Sequence, residues 1–172
     1  MGYSLDANGH LDLSPCFHSF CYDYFKLESL SKEYFYAELC DLVAWDGTPI
    51  IGMRDPKERP WRHLACKHNH DRGPINQIMD LDPTRIARFP VLKDVVMGLR
   101  AIDVYEQAGH GRGPDKIEIV ARGIDRAYLV ALGVVRGGYR IRSAYPAGEK
   151  YVERIEKRTG SLVERIRPRK IP

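Results

Sequence analysis

Three consecutive segments in the C-terminal half alternate apolar and polar residues, and they constrain the fold more than any other feature. The first begins at Lys116, the second covers residues 127–135, and the third follows the dipeptide Gly137-Gly138. A period of two is typical of β-strands, and short glycine-containing links join antiparallel neighbours. The sequence therefore predicts a three-stranded antiparallel meander.

The third segment reads Gly-Gly-Tyr-Arg-Ile-Arg-Ser-Ala-Tyr-Pro and carries the candidate chemistry. A strict period of two would place one set of side chains on one face of the strand, namely Tyr139, Ile141, Ser143 and Tyr145, and would place Arg140 and Arg142 on the other. Arg142, Ser143 and Tyr145 supply a guanidinium, a hydroxyl and a phenol. Such groups bind a phosphate and hydrogen-bond to an attacking or leaving oxygen. An ordinary edge strand with a polar solvent face would show the same residues.

Helical signals flank the meander. Asp82-Pro83 is typical of a helix start, because Asp is a favoured N-cap and Pro a favoured first residue. Apolar residues from Val91 to Ile102 recur at helical spacing, which predicts a helix that ends near Gly109. A short helix ending near Gly160 and an edge strand at residues 162–166 complete the pattern. We predict an α+β fold: a helical N-terminal half packed on a small antiparallel sheet, with a short C-terminal helix.

The first 60 residues form a distinct, aromatic-rich segment. Residues up to about Ser14 lack periodicity and predict a loose arm. The stretch around Asp46-Gly47 suits a hairpin turn, but the residues from Ser31 to Leu42 also fit an amphipathic helix. A charged loop with two prolines then marks a boundary. We predict an N-terminal extension at residues 1–60 and an α+β domain at residues 61–172.

Composition narrows the class of protein. The chain has 172 residues, 44% of them hydrophobic, and a net charge of +4, with basic residues outnumbering acidic ones near the C-terminus. That excess favours a polyanionic partner. No apolar run approaches the roughly 20 residues of a membrane span, so we expect no membrane association. Four sparse cysteines predict reduced thiols, as in a cytoplasmic protein or an effector delivered into a target cell.

The segment Trp61–Asp71 holds a second candidate site. Here His68 lies beside Lys67, and an imidazole next to a cation suits proton transfer at a ribose or phosphate. Two interpretations compete with it: a structural histidine cluster that binds nothing, and a zinc site built from Cys66, His63 and His70. The zinc site lacks a Cys-x-x-Cys pair and a second ligand pair downstream, so we predict no metal and no cofactor. A separate loop, His110–Pro114, is rich in glycine and more typical of a connection than of a phosphate site.

These motifs together resemble a known superfamily. Lys67-His68 and Arg142-Ser143-Ala144-Tyr145-Pro146, within residues 61–160, are similar to motifs of the ribonuclease superfamily that groups barnase, EndoU, the tRNA-cutting colicins and RelE, and above all to its phage-associated toxin branch. The resemblance implies a metal-independent RNase of α+β fold, with tRNA among its substrates and an immunity protein or antitoxin as partner. It implies that His68 is the general base or acid, that Lys67 stabilises charge and that Arg142 clamps the phosphate.

Two hypotheses follow from these observations. The first is an endoribonuclease that cuts RNA by transphosphorylation from the 2′-OH, with catalytic residues His68, Lys67, Arg142, Ser143 and Tyr145. Three further cationic or potentially cationic residues, Arg122, Arg140 and His63, would bind the substrate. The second is a non-catalytic module of the same fold that binds RNA or protein. A purely structural or adaptor protein would neither bind nor cut RNA.

Overall fold

The structure, a computed structural model, describes residues 2–67, 80–107, 116–122, 126–159 and 162–167. By their contacts the residues divide into two compact units. The first unit comprises Met1–Cys40 and Gly52–Val91, and the second comprises Asp41–Ile51 and Leu92–Pro172. This division concerns contacts, and the predicted domain boundary near residue 60 stays a prediction.

The first unit is built from short helices and a small hairpin. A single 3₁₀ turn, Ser14–Cys16, leads into strands β1 (Phe17–His18) and β2 (Cys21–Tyr22), which pair antiparallel. Helix α1 (Tyr24–Tyr34) begins at Asp23, whose carboxylate accepts hydrogen bonds from two backbone N–H groups of the first turn. A π-helical turn, Phe35–Leu39, continues α1, and helices α2 (Arg59–Ala65) and α3 (Pro83–Ala87) follow.

Aromatic residues of the first 40 positions form part of the core of this unit. Phe35 and Phe89 are almost completely buried, and the rings of Tyr34 and Phe35 lie 6.4 and 6.3 Å from that of Phe89. The prediction of a loose N-terminal arm is wrong. Leu11 is buried and its backbone N–H donates to the carbonyl of Ala87, which ties the N-terminal residues to helix α3.

The second unit contains a five-stranded antiparallel sheet. Its strands are β3 (Ile102–Gln107), β4 (Lys116–Arg122), β5 (Ala127–Val135), β6 (Gly138–Ala147) and β7 (Leu162–Ile166), in the spatial order β6-β5-β4-β3-β7. Helix α5 (Glu149–Thr159) follows β6. The predicted meander, the C-terminal helix and the edge strand at Leu162–Ile166 are confirmed.

Helix α5 packs on one face of this sheet. Its residues Val152 and Ile155 share a buried cluster with Tyr105, Val120 and Leu129. Leu129 of β5 and Val120 of β4 are direct cross-strand partners, so they lie on the same face. Apolar burial between the helix and the sheet is the driving force for docking. On the opposite face the ring of Trp45 stacks on that of Tyr139, 5.9 Å between centroids.

Strand β3 corrects the predicted long helix. Helix α4 (Phe89–Met97) is followed by Gly98, which has a φ of +68°, and Ile102–Gln107 form strand β3. A side chain at Gly98 would be strained by that φ and would meet the Cβ of Trp45 at 2.9 Å. Ile102 continues the helical spacing by coincidence, because a buried strand residue is apolar for the same reason as a buried helix residue.

The region around Asp46-Gly47 contains elements of both predicted alternatives. The residues from Ser31 to Leu39 are helical, as the amphipathic pattern suggested. Asp46-Gly47 then forms a turn closed by a bridge between Val43 and Pro49, shorter than the hairpin strands that we predicted.

The α+β class is confirmed, with the helical first half matched only loosely because bridges and turns separate its short helices. None of the helices that the structure describes has both the length and the apolar character needed to cross a bilayer.

Candidate nucleic-acid interface

A β-bulge in β6 determines which side chains of the Arg-Ser-Ala-Tyr segment share a face. Ser143 pairs with Ala131 of β5, but the next β5 residue, Leu132, pairs with Ile141. Arg142 is therefore the extra residue of the bulge. Bulges of this kind shift the alternation of side chains between the two faces of a strand, and they redirect a side chain.

The bulge corrects the predicted face assignment. Before it, Tyr139 and Ile141 face the same side as Leu132. After the bulge, Ala144 faces that side, and Ser143 and Tyr145 face the other. Arg140 faces this other side as well, because its partner Gly133 is two residues along β5 from Ala131, the partner of Ser143. The residues that a simple period of two would separate, Arg140 and Ser143, thus share one face.

The guanidinium of Arg142 lies on this same face. The position that a Cβ of Gly133 would occupy is 2.6 Å from Nε and 3.2 Å from Nη2 of Arg142. The side chain therefore crosses from β6 over the backbone of β5. Glycine within a strand often marks such a close approach.

The cross-strand partners extend this group to β4. Lys116 pairs with Gly133, and Glu118 pairs with Ala131. We call the resulting set the polar sheet face: Lys116, Glu118, Arg140, Arg142, Ser143 and Tyr145. Arg140 and Arg142 are exposed, and Lys116, Ser143 and Tyr145 are half-buried. Three cationic side chains and one carboxylate give this face a positive formal charge.

Glu118 is the buried member of the polar sheet face. It is fully buried, and its Oε1 accepts a hydrogen bond from Nζ of Lys116 at 2.7 Å. A buried carboxylate is stable only with such charged or hydrogen-bonding partners. This ion pair fixes the Lys116 ammonium close to the sheet, so part of its charge is already compensated.

Helix α5 borders the polar sheet face at Tyr145. The ring of Tyr145 meets that of Tyr151 edge-on, 5.9 Å between centroids, and packs against the buried cluster under the helix. Edge-to-face aromatic pairs of this kind add stability beyond the area they bury. The helix thus holds the phenol ring that the sequence singled out.

Arg122 belongs to a different group at the far end of β4. It is six residues from Lys116, or about 20 Å along the strand. Its guanidinium hydrogen-bonds to Glu156 of α5 and lies 3.6 Å from Asp103, which also accepts two hydrogen bonds from Arg165 of β7. These bonds raise the pKa of the Arg165 guanidinium. Arg122 therefore joins helix α5 to the sheet, and its substrate-binding role stays a prediction.

Replacing Asp103 with asparagine will lower the free energy of unfolding by about 2 kcal/mol, because Asp103 is nearly buried and neutralises two guanidinium groups. Urea denaturation measures the loss. Asp94→Asn is the matched control: Asp94 pairs with Arg100 at 2.8 Å in a more exposed position, and we expect a loss below about 1 kcal/mol. Equal losses in the two variants would show that the Asp103 network does not hold β7 in place.

Lys67 and His63 belong to the first unit. His63 is in the last turn of α2, and Lys67 lines a surface cleft of about 590 Å³ together with three carboxylates, Asp6, Asp12 and Asp82. Hydrogen bonds from backbone N–H groups of His10 and Ser14 lower the pKa of Asp6 and Asp12, respectively. Asp6 and Asp12 therefore stay ionised, and their negative charge makes the cleft unfavourable for a phosphate.

His68 and His70 lie outside the described residues, as does the loop His110–Pro114, so their predicted roles stay predictions. Within the part of the chain that was placed, no group of three histidine, cysteine or acidic side chains is arranged to hold a metal ion. Cys66 is buried, and its burial raises the pKa of the thiol to about 11. The thiolate that would bind zinc is thereby disfavoured.

Sequence reasoning identified Arg140, Arg142, Ser143 and Tyr145 but missed three members or neighbours of the site: Lys116, Glu118 and Gly133. Two signals were present. An acidic residue between Ile117 and Ile119 is unusual within a buried strand, and a glycine within an apolar strand suggests a close approach.

Comparisons of the chain with protein-family models, with curated proteins and with solved structures gave no match.

Proposed function

We propose that the polar sheet face binds the sugar-phosphate backbone of RNA and that the protein is a metal-independent endoribonuclease. The observation that carries the proposal is the bulge, which brings Arg142 to the same face as Ser143 and Tyr145. A guanidinium that shares a sheet face with two hydroxyl groups suits the sugar-phosphate backbone, because the former supplies charge and the latter supply hydrogen bonds.

The proposed reaction is an internal transphosphorylation. The 2′-oxygen attacks phosphorus while a base removes its proton, the bond from phosphorus to the 5′-oxygen breaks, and an acid protonates that oxygen. The products are a 2′,3′-cyclic phosphate and a 5′-hydroxyl, with no net gain or loss of protons. Negative charge grows on the phosphorane oxygens, and fixed cations stabilise it.

Residues of the polar sheet face fit the stabilising part of this reaction. Arg142 would bind the non-bridging phosphate oxygens, with Arg140 contacting a neighbouring phosphate. The hydroxyl groups of Ser143 and Tyr145 would hydrogen-bond to the attacking or leaving oxygen. We propose that His68 transfers the proton, because the chain resembles the ribonuclease superfamily.

That resemblance also supports the biological role. Toxin-type members of the superfamily cut RNA and are neutralised by an immunity protein or antitoxin. We therefore propose RNA, with tRNA as a candidate, as the substrate and a neutralising protein as the partner. Expression of the full chain alone should inhibit the growth of the host cell, and co-expression of a partner should relieve this.

The test is RNA cutting in the presence of EDTA. The full chain, incubated with total tRNA and excess chelator, should yield fragments that end in a 2′,3′-cyclic phosphate, which T4 polynucleotide kinase removes. Fragments that vanish when EDTA is added would contradict the metal-independent mechanism and favour a metal site near Cys66.

One observation favours a second candidate, a non-catalytic RNA-binding module. The predicted catalytic Lys67 lines a cleft with three carboxylates, which is a poor environment for a phosphate. Such a module would bind RNA without products, and its affinity would fall with salt in proportion to the phosphates contacted.

A further inference from the structure

We propose that Gly133 is a positioning residue, whose missing side chain allows the Arg142 guanidinium to lie across strand β5 in the orientation that binds the substrate phosphate. This inference rests on the proposed function of the polar sheet face. Gly133 would not touch the substrate and would act through Arg142.

The geometry leaves no room for a side chain at this position. A Cβ on Gly133 would lie 2.6 Å from Nε, 3.2 Å from Nη2 and 3.3 Å from Cζ of Arg142. To regain an ordinary contact of 3.4 Å, Nε must move away by about 0.8 Å. The end of an arginine side chain is flexible, so the guanidinium moves and the backbone of β5 stays.

The surroundings of Gly133 explain why such a shift matters. Its cross-strand partners are Lys116 on one side and Arg140 on the other, so cationic residues occupy both neighbouring strands. Contacts between a charge and a phosphate depend on position at the level of one ångström. A small movement of Arg142 out of this group therefore slows cutting more than the lost contact energy alone would suggest.

A side chain at Gly133 should impair function without lowering stability. Gly133 has no positive φ, so alanine fits its backbone without strain. In a strand interior glycine is less stable than alanine, since it loses more conformational freedom on folding. Gly133→Ala should therefore leave the melting temperature unchanged or slightly higher while it impairs the site.

The experiment is a double-mutant cycle with Gly133→Ala, Arg142→Ala and the combined variant of the full chain. Cutting of a fluorescein-labelled RNA hairpin under single-turnover conditions gives the rate, and anisotropy of a labelled oligouridine gives binding. We expect Gly133→Ala to slow cutting by about tenfold to a hundredfold. In the Arg142→Ala background the same change should have less than about a twofold effect, because the group it displaces is absent.

Gly148→Ala is the matched control, since apart from its chain neighbours no atom lies within 4 Å of a Cβ at that glycine, and its φ is not positive. It should cut and bind like the unmodified chain. A drop in melting temperature for Gly133→Ala, or a loss that persists in the Arg142→Ala background, would overturn the positioning role. Unchanged cutting and binding in Arg142→Ala alone would instead overturn the proposed function.

Discussion

Replacing Arg142 with alanine will slow RNA cutting by about a hundredfold to a thousandfold. The guanidinium is an exposed cation on the same face of the sheet as Ser143 and Tyr145, and it would face the oxygens on which negative charge accumulates. Loss of one such stabilising donor typically has this effect, equivalent to about 3 to 4 kcal/mol of barrier. Single-turnover cutting of tRNA measures the change.

Arg136→Ala is the control for Arg142→Ala. Arg136 is also an exposed arginine, but it lies in the turn between β5 and β6, outside the strands. Its removal lowers the net charge equally and should change the rate by less than about twofold, apart from the general effect of charge. Circular dichroism and thermal melting should be the same for both variants. If the two variants lose activity equally, the polar sheet face has no specific role in cutting.

Replacing Ile155 with alanine will lower the free energy of unfolding by about 3 kcal/mol. Ile155 is completely buried in the cluster that joins α5 to the sheet. The change removes apolar contacts and leaves a cavity, and substitutions of this kind typically cost 2–5 kcal/mol. Urea denaturation followed by circular dichroism gives the value, and Ile155→Val should cost about 1 kcal/mol.

Arg154→Ala on the same helix provides the comparison, since Arg154 is exposed and its loss should change stability by less than about 0.5 kcal/mol. A similar small effect for Ile155→Ala would mean that α5 is not docked on the sheet. RNA cutting by the Ile155→Ala variant should also fall, because α5 supports Tyr145 through Tyr151.

Local patterns were sufficient to predict β4, β5, β6, α5 and β7, because alternation, turn glycines and helical spacing are encoded within each segment. They failed where distant residues decide. The Leu99–Ile102 spacing suits a helix, but Gly98 takes a positive φ beside Trp45, a residue more than 50 positions earlier in the chain. Residues Asp41–Ile51 likewise join the sheet unit through contacts that no local pattern indicates.

The candidate site was predicted in composition but not in geometry. Arg142, Ser143 and Tyr145 were chosen for their chemistry, and that choice does not depend on which face of the strand each side chain occupies. Their common face depends on one extra residue opposite Leu132, and a bulge has no sequence signature comparable to an Asp-Gly turn. Glu118 was missed because its alternation with Ile117 and Ile119 is equally typical of a solvent-facing residue, and the structure instead buries it beside Lys116.

Strand β6 is an edge strand of the sheet, and this has a consequence for solubility. Near its start, backbone groups of Pro49 and Ile51 hydrogen-bond to Tyr139 and cover that part of the edge. Further along, charged Arg140 and Arg142, an irregular ladder and Pro146 each hinder another chain from adding a strand. The features proposed to hold a phosphate therefore also discourage polymerisation of the sheet through this edge.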